Sequence, residues 1–241
     1  RADCERLYYL GPMFRYERPQ KGRMRQFSQI GVEAFGSNAP ALDAEVIEMA
    51  MTLLSALGIE DTILILNSVG CDTCRAVYRE TLKAALADKV DALCPDCQRR
   101  YRENPLRILD CKVGCRQFLA NAPTILDTLD PACRAHFQAV RDGLERFGVT
   151  YRVDPLLVRG LDYYVRTTFE VLGESLGAQN ALLGGGRYDG LVKSLGGPDV
   201  PGFGFASGLD RLVLSLPEPP AFRRGPDLFI ATLGRGAWGK G

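Results

Sequence analysis

The chain has 241 residues, of which 46% are hydrophobic and 24% charged, a composition that is typical of globular proteins and excludes a disordered or fibrous chain. Its 30 basic and 29 acidic residues nearly cancel, so overall charge cannot be the basis for binding nucleic acid or membranes. The single histidine excludes a metal site built from two or three imidazoles. No apolar run reaches about 18 residues, so no membrane span is predicted.

The first segment is predicted to be a hairpin with a basic loop. Apolar runs at Tyr8–Leu10 and Gln29–Phe35 favour two strands. Between them, residues 15–25 carry five cations and one acid, a local net charge of +4. Such a cluster could bind phosphates, whereas a solvated face is the simpler alternative, and the charges alone do not decide between them.

A helix capped by Asn38 and ended by Gly58 is predicted next, followed by a buried strand at Thr62–Asn67. From residue 70 to residue 147 the pattern changes to successive short helices that contain seven of the eight cysteines, which favours an insertion. The last of these helices begins after the cap residue Asp130 and contains His136, which we interpret as an ordinary helix residue.

Two strands and two glycine-rich segments follow the insertion. The strands are predicted near Thr150–Val153 and Thr167–Leu172, and the glycine-rich segments are Gly184–Gly186 and Gly202–Gly208. The second glycine-rich segment leads directly into a helix with an apolar face. Its glycine spacing is not the dinucleotide-binding fingerprint, so a Rossmann oxidoreductase is not favoured.

The cysteines allow a structural zinc site. Cys71 and Cys74 form one C-x-x-C pair, and Cys94 and Cys97 form a second pair after nineteen intervening residues, which fits a four-cysteine zinc site. Two further candidates, Cys111 and Cys115, follow. Reduced thiols that pack between helices are the alternative, and disulfides are disfavoured because a core of this size does not need them.

Four strings of residues carry a family resemblance: Gly11–Phe27, Leu157–Tyr164, Gly184–Leu191 and Gly208–Leu212. Together they resemble the bacterial histidyl-tRNA synthetases, which are class II aminoacyl-tRNA synthetases. The first string is similar to motif 2 and the fourth to motif 3, while the second and third are similar to the two histidine-specific signatures.

The resemblance implies an α+β fold, an antiparallel sheet flanked by helices. The class II catalytic core is expected in residues 1–67 and 150–216, with a helical, cysteine-rich insertion at 68–149. Residues 217–241 are expected to be a linker and the start of a truncated C-terminal anticodon-binding domain. Motif 1 and most of the anticodon-binding domain are expected to lie outside the chain.

The resemblance also implies the activity: L-histidine is activated with ATP, bound with Mg²⁺ as substrate, and attached to tRNA(His) by a cytoplasmic homodimer with no membrane contact. The isolated chain is expected to be weakly active or inactive. The alternative is the synthetase-like regulatory subunit of ATP phosphoribosyltransferase. That subunit tends to lose the phosphate-binding arginines and the signature at Arg159–Tyr164, both of which are complete here.

By the same resemblance, the catalytic residues are Arg15, Arg159 and Arg211. Arg15 and Arg159 would contact the α-phosphate and the substrate carboxylate, and Arg211 would contact the γ-phosphate. ATP would also contact Arg23 and the ring of Phe27, which stacks on adenine. Histidine would be bound by Gln29, Glu33, Tyr163 and Tyr164 together with Arg15 and Arg159. The acceptor end of tRNA would contact Arg18 and Gln20. No residue is assigned as a ligand of a catalytic metal.

Overall fold

The computed structural model describes residues 4–16, 24–111, 113–158, 163–173 and 180–217. These residues form a seven-stranded sheet with helices, in the chain order β1 (Glu5–Phe14), β2 (Gln26–Phe35), α1 (Pro40–Ala56), β3 (Thr62–Ser68), α2 (Asp72–Leu86), α3 (Pro95–Glu103), α4 (Pro131–Arg146), β4 (Arg152–Val153), β5 (Val165–Gly173), β6 (Ala181–Arg187), α5 (Leu191–Ser194), β7 (Gly202–Gly208) and α6 (Leu209–Leu214). Short 3₁₀ turns at Ala87–Ala92, Pro105–Ile108, Cys115–Leu119 and Ile125–Thr128 connect the helices between α2 and α4.

The strands lie in the order β1-β2-β7-β6-β5-β3-β4. Neighbouring strands are antiparallel except the edge strand β4, which runs parallel to β3. The predicted sheet flanked by helices is therefore confirmed, and it is mixed rather than purely antiparallel. The parallel strand β4 is only two residues long, which is too short for its pairing direction to be predicted from the sequence pattern.

One face of the sheet is covered by α1 and α4. Alternate residues of the central strands point to this face, and Phe169, Phe203 and Phe205 pack there against aliphatic side chains of both helices. The two helices approach closely at Gly143, where a Cβ atom would lie 2.8 Å from the Cβ of Ala44.

The helix ends follow local sequence rules, with one correction. The carboxylate of Asp130 accepts a hydrogen bond from the Cys133 amide and caps α4 as predicted. Gly58 has a φ of +73° just after α1, the left-handed conformation that glycine adopts most easily. The predicted cap of α1 at Asn38 is wrong, because Pro40 begins the helix and Ala39 precedes it without a side-chain cap.

A smaller core lies between α2, α3 and the 3₁₀ turns, and five of its fourteen buried residues are cysteines. By contrast, Phe137, Val140 and Leu144 of α4 belong to the main core beside the sheet. The division into domains stays a prediction, and this packing favours an insertion that ends near the start of α4. Residues 218–241 lie outside the described residues.

A buried ion pair ties β6 to α1. The guanidinium of Arg187 is fully buried, its Nη2 donates to Asp43 Oδ1, and its Nη1 donates to Asp189 Oδ1 at 2.8 Å. Burial alone lowers the pKa of Arg187, but the hydrogen bonds and charge of Asp43 outweigh it and raise the pKa. His136 Nε2 lies 2.9 Å from Asp43 Oδ2, so the single histidine belongs to this structural network.

Among the described residues, no helix is both long and apolar enough to cross a membrane.

Candidate functional site

The face of β2 that points away from α1 and α4 presents the predicted site residues in a row. Ile30, Val32 and Ala34 pack into the core, so the alternate residues 27, 29, 31 and 33 point the other way. From Phe27 to Glu33 the row is about 20 Å long, at about 3.3 Å per residue. One strand therefore aligns an aromatic ring, an amide and a carboxylate on a single face.

On one side of Glu33 the neighbouring strands carry no side chains. Its register partner on β7 is Gly204, whose partner on β6 is Gly186, whereas on the other side its partner on β1 is Leu7. A Cβ atom at Gly204 would overlap the Glu33 carboxylate and the carbonyl oxygen of Val32. The two glycines thus leave a trough in the sheet that the carboxylate of Glu33 enters.

The Glu33 carboxylate accepts a hydrogen bond from the hydroxyl of Tyr188. Burial raises the pKa of Glu33 above its usual range, and the Tyr188 hydrogen bond partly opposes this shift. Burial, and then the hydrogen bond to Glu33, raise the pKa of Tyr188. The carboxylate is therefore poorly solvated, with strong acceptor capacity for a further N–H donor.

Three tyrosine rings lie together over this trough. The ring centroids of Tyr163 and Tyr164 are 4.7 Å apart, and those of Tyr163 and Tyr188 are 6.1 Å apart. Tyr164 lies against Gly186, where a Cβ atom would come within 2.9 Å of its ring. The guanidinium of Arg75 on α2 donates to the carbonyl oxygen of Tyr164, so a helix of the smaller core holds this side of the site.

Gln29 and Tyr9 extend the polar row toward β1. The amide nitrogen of Gln29 donates to the Tyr9 hydroxyl at 2.7 Å, and the Tyr9 ring lies over Gly31, which has no side chain to displace it. Burial raises the pKa of Tyr9, which the Gln29 hydrogen bond opposes. The face as a whole offers a carboxylate, an amide and phenol groups to a planar polar ligand.

Arginines lie at the other end of the row. The Arg15 guanidinium is 4.2 Å from the ring centroid of Phe27, and its Nε donates to the carbonyl oxygen of Met24 at 2.6 Å. Arg211 lies in α6, which starts directly after Gly208, the register partner of Gln29. Its Nη1 donates to the carbonyl oxygen of Ala181 at 2.6 Å.

The structure therefore brings Gln29, Glu33, Tyr163 and Tyr164 together, and places Phe27 on the same face of β2 with the Arg15 guanidinium against its ring. Four predicted site residues lie outside the described residues: Arg18, Gln20, Arg23 and Arg159. Sequence reasoning missed Tyr9 and Tyr188. Tyr188 belongs to the string Gly184–Leu191 that carried the resemblance, whereas nothing in the local sequence marks Tyr9.

The suggested zinc site at Cys71, Cys74, Cys94 and Cys97 is wrong in its pairing. The structure separates the two pairs: Cys94 and Cys97 meet Cys111 and Cys115, while Cys71 and Cys74 meet Asp130 and Cys133. The reason is the path of the chain, because α3 starts among the 3₁₀ turns and α2 starts beside α4. Each group offers four ligand atoms that lie within 4.8 Å of one another.

Known proteins resemble this chain over most of its length. The profile of the histidyl-tRNA synthetase family matches residues 1–212. The histidine–tRNA ligase of Syntrophotalea carbinolica is 52% identical over 233 residues, which cover 96% of this chain and 56% of that protein. The histidine–tRNA ligase of Solibacter usitatus is 55% identical over 240 residues, which cover 98% of this chain and 58% of that protein.

Among solved structures, apo histidyl-tRNA synthetase of Staphylococcus aureus superimposes with a TM-score of 0.69 at 39% identity, covering 88% of this chain and 50% of that one. Histidyl-tRNA synthetase from a Nostoc species, at 21% identity and a TM-score of 0.58, shares the fold. The chain spans a little over half the length of the curated relatives it matches. It belongs to the histidyl-tRNA synthetase family.

Proposed function

We propose that the protein is a histidine–tRNA ligase, which activates L-histidine with ATP and transfers it to tRNA(His). The observation that carries this proposal is the row on β2, where Glu33, Gln29 and the tyrosines form one polar trough in line with Arg15 and Phe27. The two curated relatives described above, both named histidine–tRNA ligase, support it. They do not favour the regulatory-subunit alternative.

The trough binds the imidazole ring of histidine. The Glu33 carboxylate accepts one ring N–H, and the hydroxyls of Tyr9, Tyr164 or Tyr188 offer donors or acceptors to the other nitrogen. A site that satisfies both ring nitrogens rejects analogues without them by about 10⁴–10⁵. Selectivity for histidine therefore follows from hydrogen bonding in the trough, with Gln29 beside the rest of the substrate.

Activation needs positive charge. An oxygen of the histidine carboxylate attacks the α-phosphorus of ATP, the bond to the bridging oxygen breaks, and pyrophosphate leaves with its magnesium. Arg15 and Arg159 neutralise the α-phosphate oxygens as charge builds there, and Arg211 holds the γ-phosphate. Arg23 adds a phosphate contact, and Phe27 offers its ring to the adenine.

The same proposal covers the partners. Arg18 and Gln20 in the basic loop contact the acceptor end of tRNA(His), and the enzyme acts as a cytoplasmic homodimer. An apolar strip on the edge strand β1 supports the dimer, because Tyr8, Leu10 and Phe14 are 80%, 62% and 74% exposed in the single chain. The catalytic core comprises residues 1–67 and 150–216 together with α4, whose apolar side chains pack in the main core.

Histidine-dependent exchange of labelled pyrophosphate into ATP tests the proposal on the full-length protein that carries this sequence, followed by charging of tRNA(His). We expect exchange with histidine, and its loss in the Arg15→Met variant. Arg6→Met is the matched control, since Arg6 is an exposed arginine of β1, the strand that ends just before Arg15, and pairs with Glu45 at 2.9 Å. Absence of exchange in the wild type, or equal loss in both variants, would contradict the proposal.

A further inference from the structure

Seven cysteines lie between residues 71 and 133, and the proposed reaction uses none of them. They fall into the two groups named above, Cys94/Cys97/Cys111/Cys115 and Cys71/Cys74/Asp130/Cys133. All seven are free thiols, and the sulfur atoms of Cys71 and Cys74 are 3.5 Å apart, well beyond the roughly 2.05 Å of a disulfide bond. Each group converges on a point, as the ligands of a metal ion do.

The first group is a four-sulfur cluster at the start of α3. Cys94 is the residue before the helix and Cys97 lies in its first turn, while Cys111 and Cys115 flank a turn that Gly114 makes with a φ of +106°. Backbone amides point at two of the sulfurs: Cys94 N lies 3.3 Å from Cys115 Sγ, and Val113 N lies 3.4 Å from Cys111 Sγ. Such N–H contacts stabilise thiolates that bind metals.

The second group repeats this arrangement at two helix starts. Cys71 and Cys74 begin α2 in the way that Asp130 and Cys133 begin α4, with one ligand before each helix and one in its first turn. The two oxygens of the Asp130 carboxylate have different contacts. Oδ1 accepts from the Cys133 amide at 2.7 Å, and Oδ2 lies 3.1 Å from Cys71 Sγ and 3.4 Å from Cys74 Sγ. The Asp130 amide in turn points at Cys74 Sγ at 3.2 Å.

We propose that each group binds one zinc ion, the first through four cysteine sulfurs and the second through three sulfurs and an oxygen of Asp130. A tetrahedral ion with Zn–S bonds of about 2.3 Å places its sulfur ligands about 3.8 Å apart. The ligand atoms, all within 4.8 Å of one another, need to move by only a fraction of that distance to reach this geometry. Sulfur-rich tetrahedral donor sets select zinc over magnesium or calcium.

Both sites are structural, because four protein ligands leave no open position for a substrate. The first ion ties α3 to the turns that follow it, in a region held by 3₁₀ turns and a small core rich in cysteine. The second ion ties α2 to α4. Because Arg75 of α2 donates to the carbonyl oxygen of Tyr164, this second ion also steadies the wall of the trough.

Metal analysis of the purified protein tests the proposal. We expect two zinc ions per chain by plasma mass spectrometry, one in Cys97→Ser and one in Cys74→Ser. Cys4→Ser is the control and keeps two, because Cys4 packs against the main core, outside both groups. Fewer than one zinc per chain would overturn both sites, and a single zinc lost only in Cys97→Ser would overturn the second. Stoichiometric iron in place of zinc would overturn the choice of metal.

X-ray absorption at the zinc edge keeps the proposal testable if a variant fails to fold. Averaged over the two sites, the wild type is expected to show between three and four sulfur ligands per zinc, with oxygen completing the four ligands. Nitrogen ligands or fewer than three sulfurs would contradict the assignment. Neither measurement assays activity, so a failure of the zinc proposal is distinguishable from a failure of the proposed ligase function.

Discussion

Replacement of Glu33 by glutamine tests histidine recognition most sharply, because it removes one charge and almost no volume. Glutamine keeps an oxygen that can accept from the Tyr188 hydroxyl, so the trough should keep its shape. What is lost is the charge on the acceptor of the imidazole N–H. The difference between a charged and a neutral hydrogen bond is about 1–1.5 kcal/mol. That loss raises the KM for histidine by about 5- to 12-fold.

Glu33→Ala removes the acceptor altogether, and the whole charged hydrogen bond is worth about 1.5–3 kcal/mol. We therefore expect a KM for histidine raised by about 12- to 150-fold. The assay is pyrophosphate exchange with histidine and ATP varied separately, and the KM for ATP should stay constant in both variants.

Glu45→Gln is the control for these variants, since the Glu45 side chain lies at the surface and pairs with the exposed Arg6. Both of its KM values should equal those of the wild type. Unchanged KM for histidine in Glu33→Gln, or an equal rise in the KM for ATP, would refute the recognition of imidazole by this carboxylate.

Three further predictions concern stability and the shape of the trough. Burial raises the folded-state pKa of Glu33, so the wild type loses stability as the pH rises through that pKa. Glu33→Gln should therefore gain in stability relative to the wild type between acid and neutral pH, as measured by urea unfolding at a series of pH values. A gain that shrinks toward neutral pH would contradict this sign. Arg187→Met leaves the buried carboxylate of Asp43 without its main partner and should lower the free energy of unfolding by about 3–5 kcal/mol in the same assay. Arg6→Met, by contrast, breaks an exposed ion pair worth at most about 1 kcal/mol. Equal losses in the two variants would show that burial does not set the cost. Gly204→Ala places a Cβ atom where the Glu33 carboxylate lies and should abolish histidine-dependent exchange, while Gly190→Ala, with open space around its position, should not. A normal KM for histidine in Gly204→Ala would show that the trough does not bind the imidazole ring.

Much of the sheet could be predicted because its signals are local. The apolar run at Gln29–Phe35 predicted strand β2, and the cap at Asp130 predicted the start of α4. Side chains alternate between the two faces of a strand, so once β2 is recognised Gln29 and Glu33 fall on one face. The missed cap of α1 shows the limit, since a proline two residues after Asn38 moved the helix start.

Contacts between distant segments could not be predicted in the same way. Arg187 and Asp43 are 144 residues apart in the chain, and Asp43 and His136 are 93 apart, so only the packing of α1, α4 and β6 brings them together. Tyr9 joins the site through its register with Gly31. The cysteine spacing revealed each C-x-x-C pair but not its partner, because the partner depends on which helix start lies beside it.

A crystal structure of the protein with bound histidine tests the central claim most directly. We expect the imidazole ring in the trough above Gly186 and Gly204, with one ring nitrogen within hydrogen-bond distance of the Glu33 carboxylate and the substrate carboxylate directed toward Arg15. A histidine ring bound elsewhere, or in the trough without a contact to Glu33, would contradict the account.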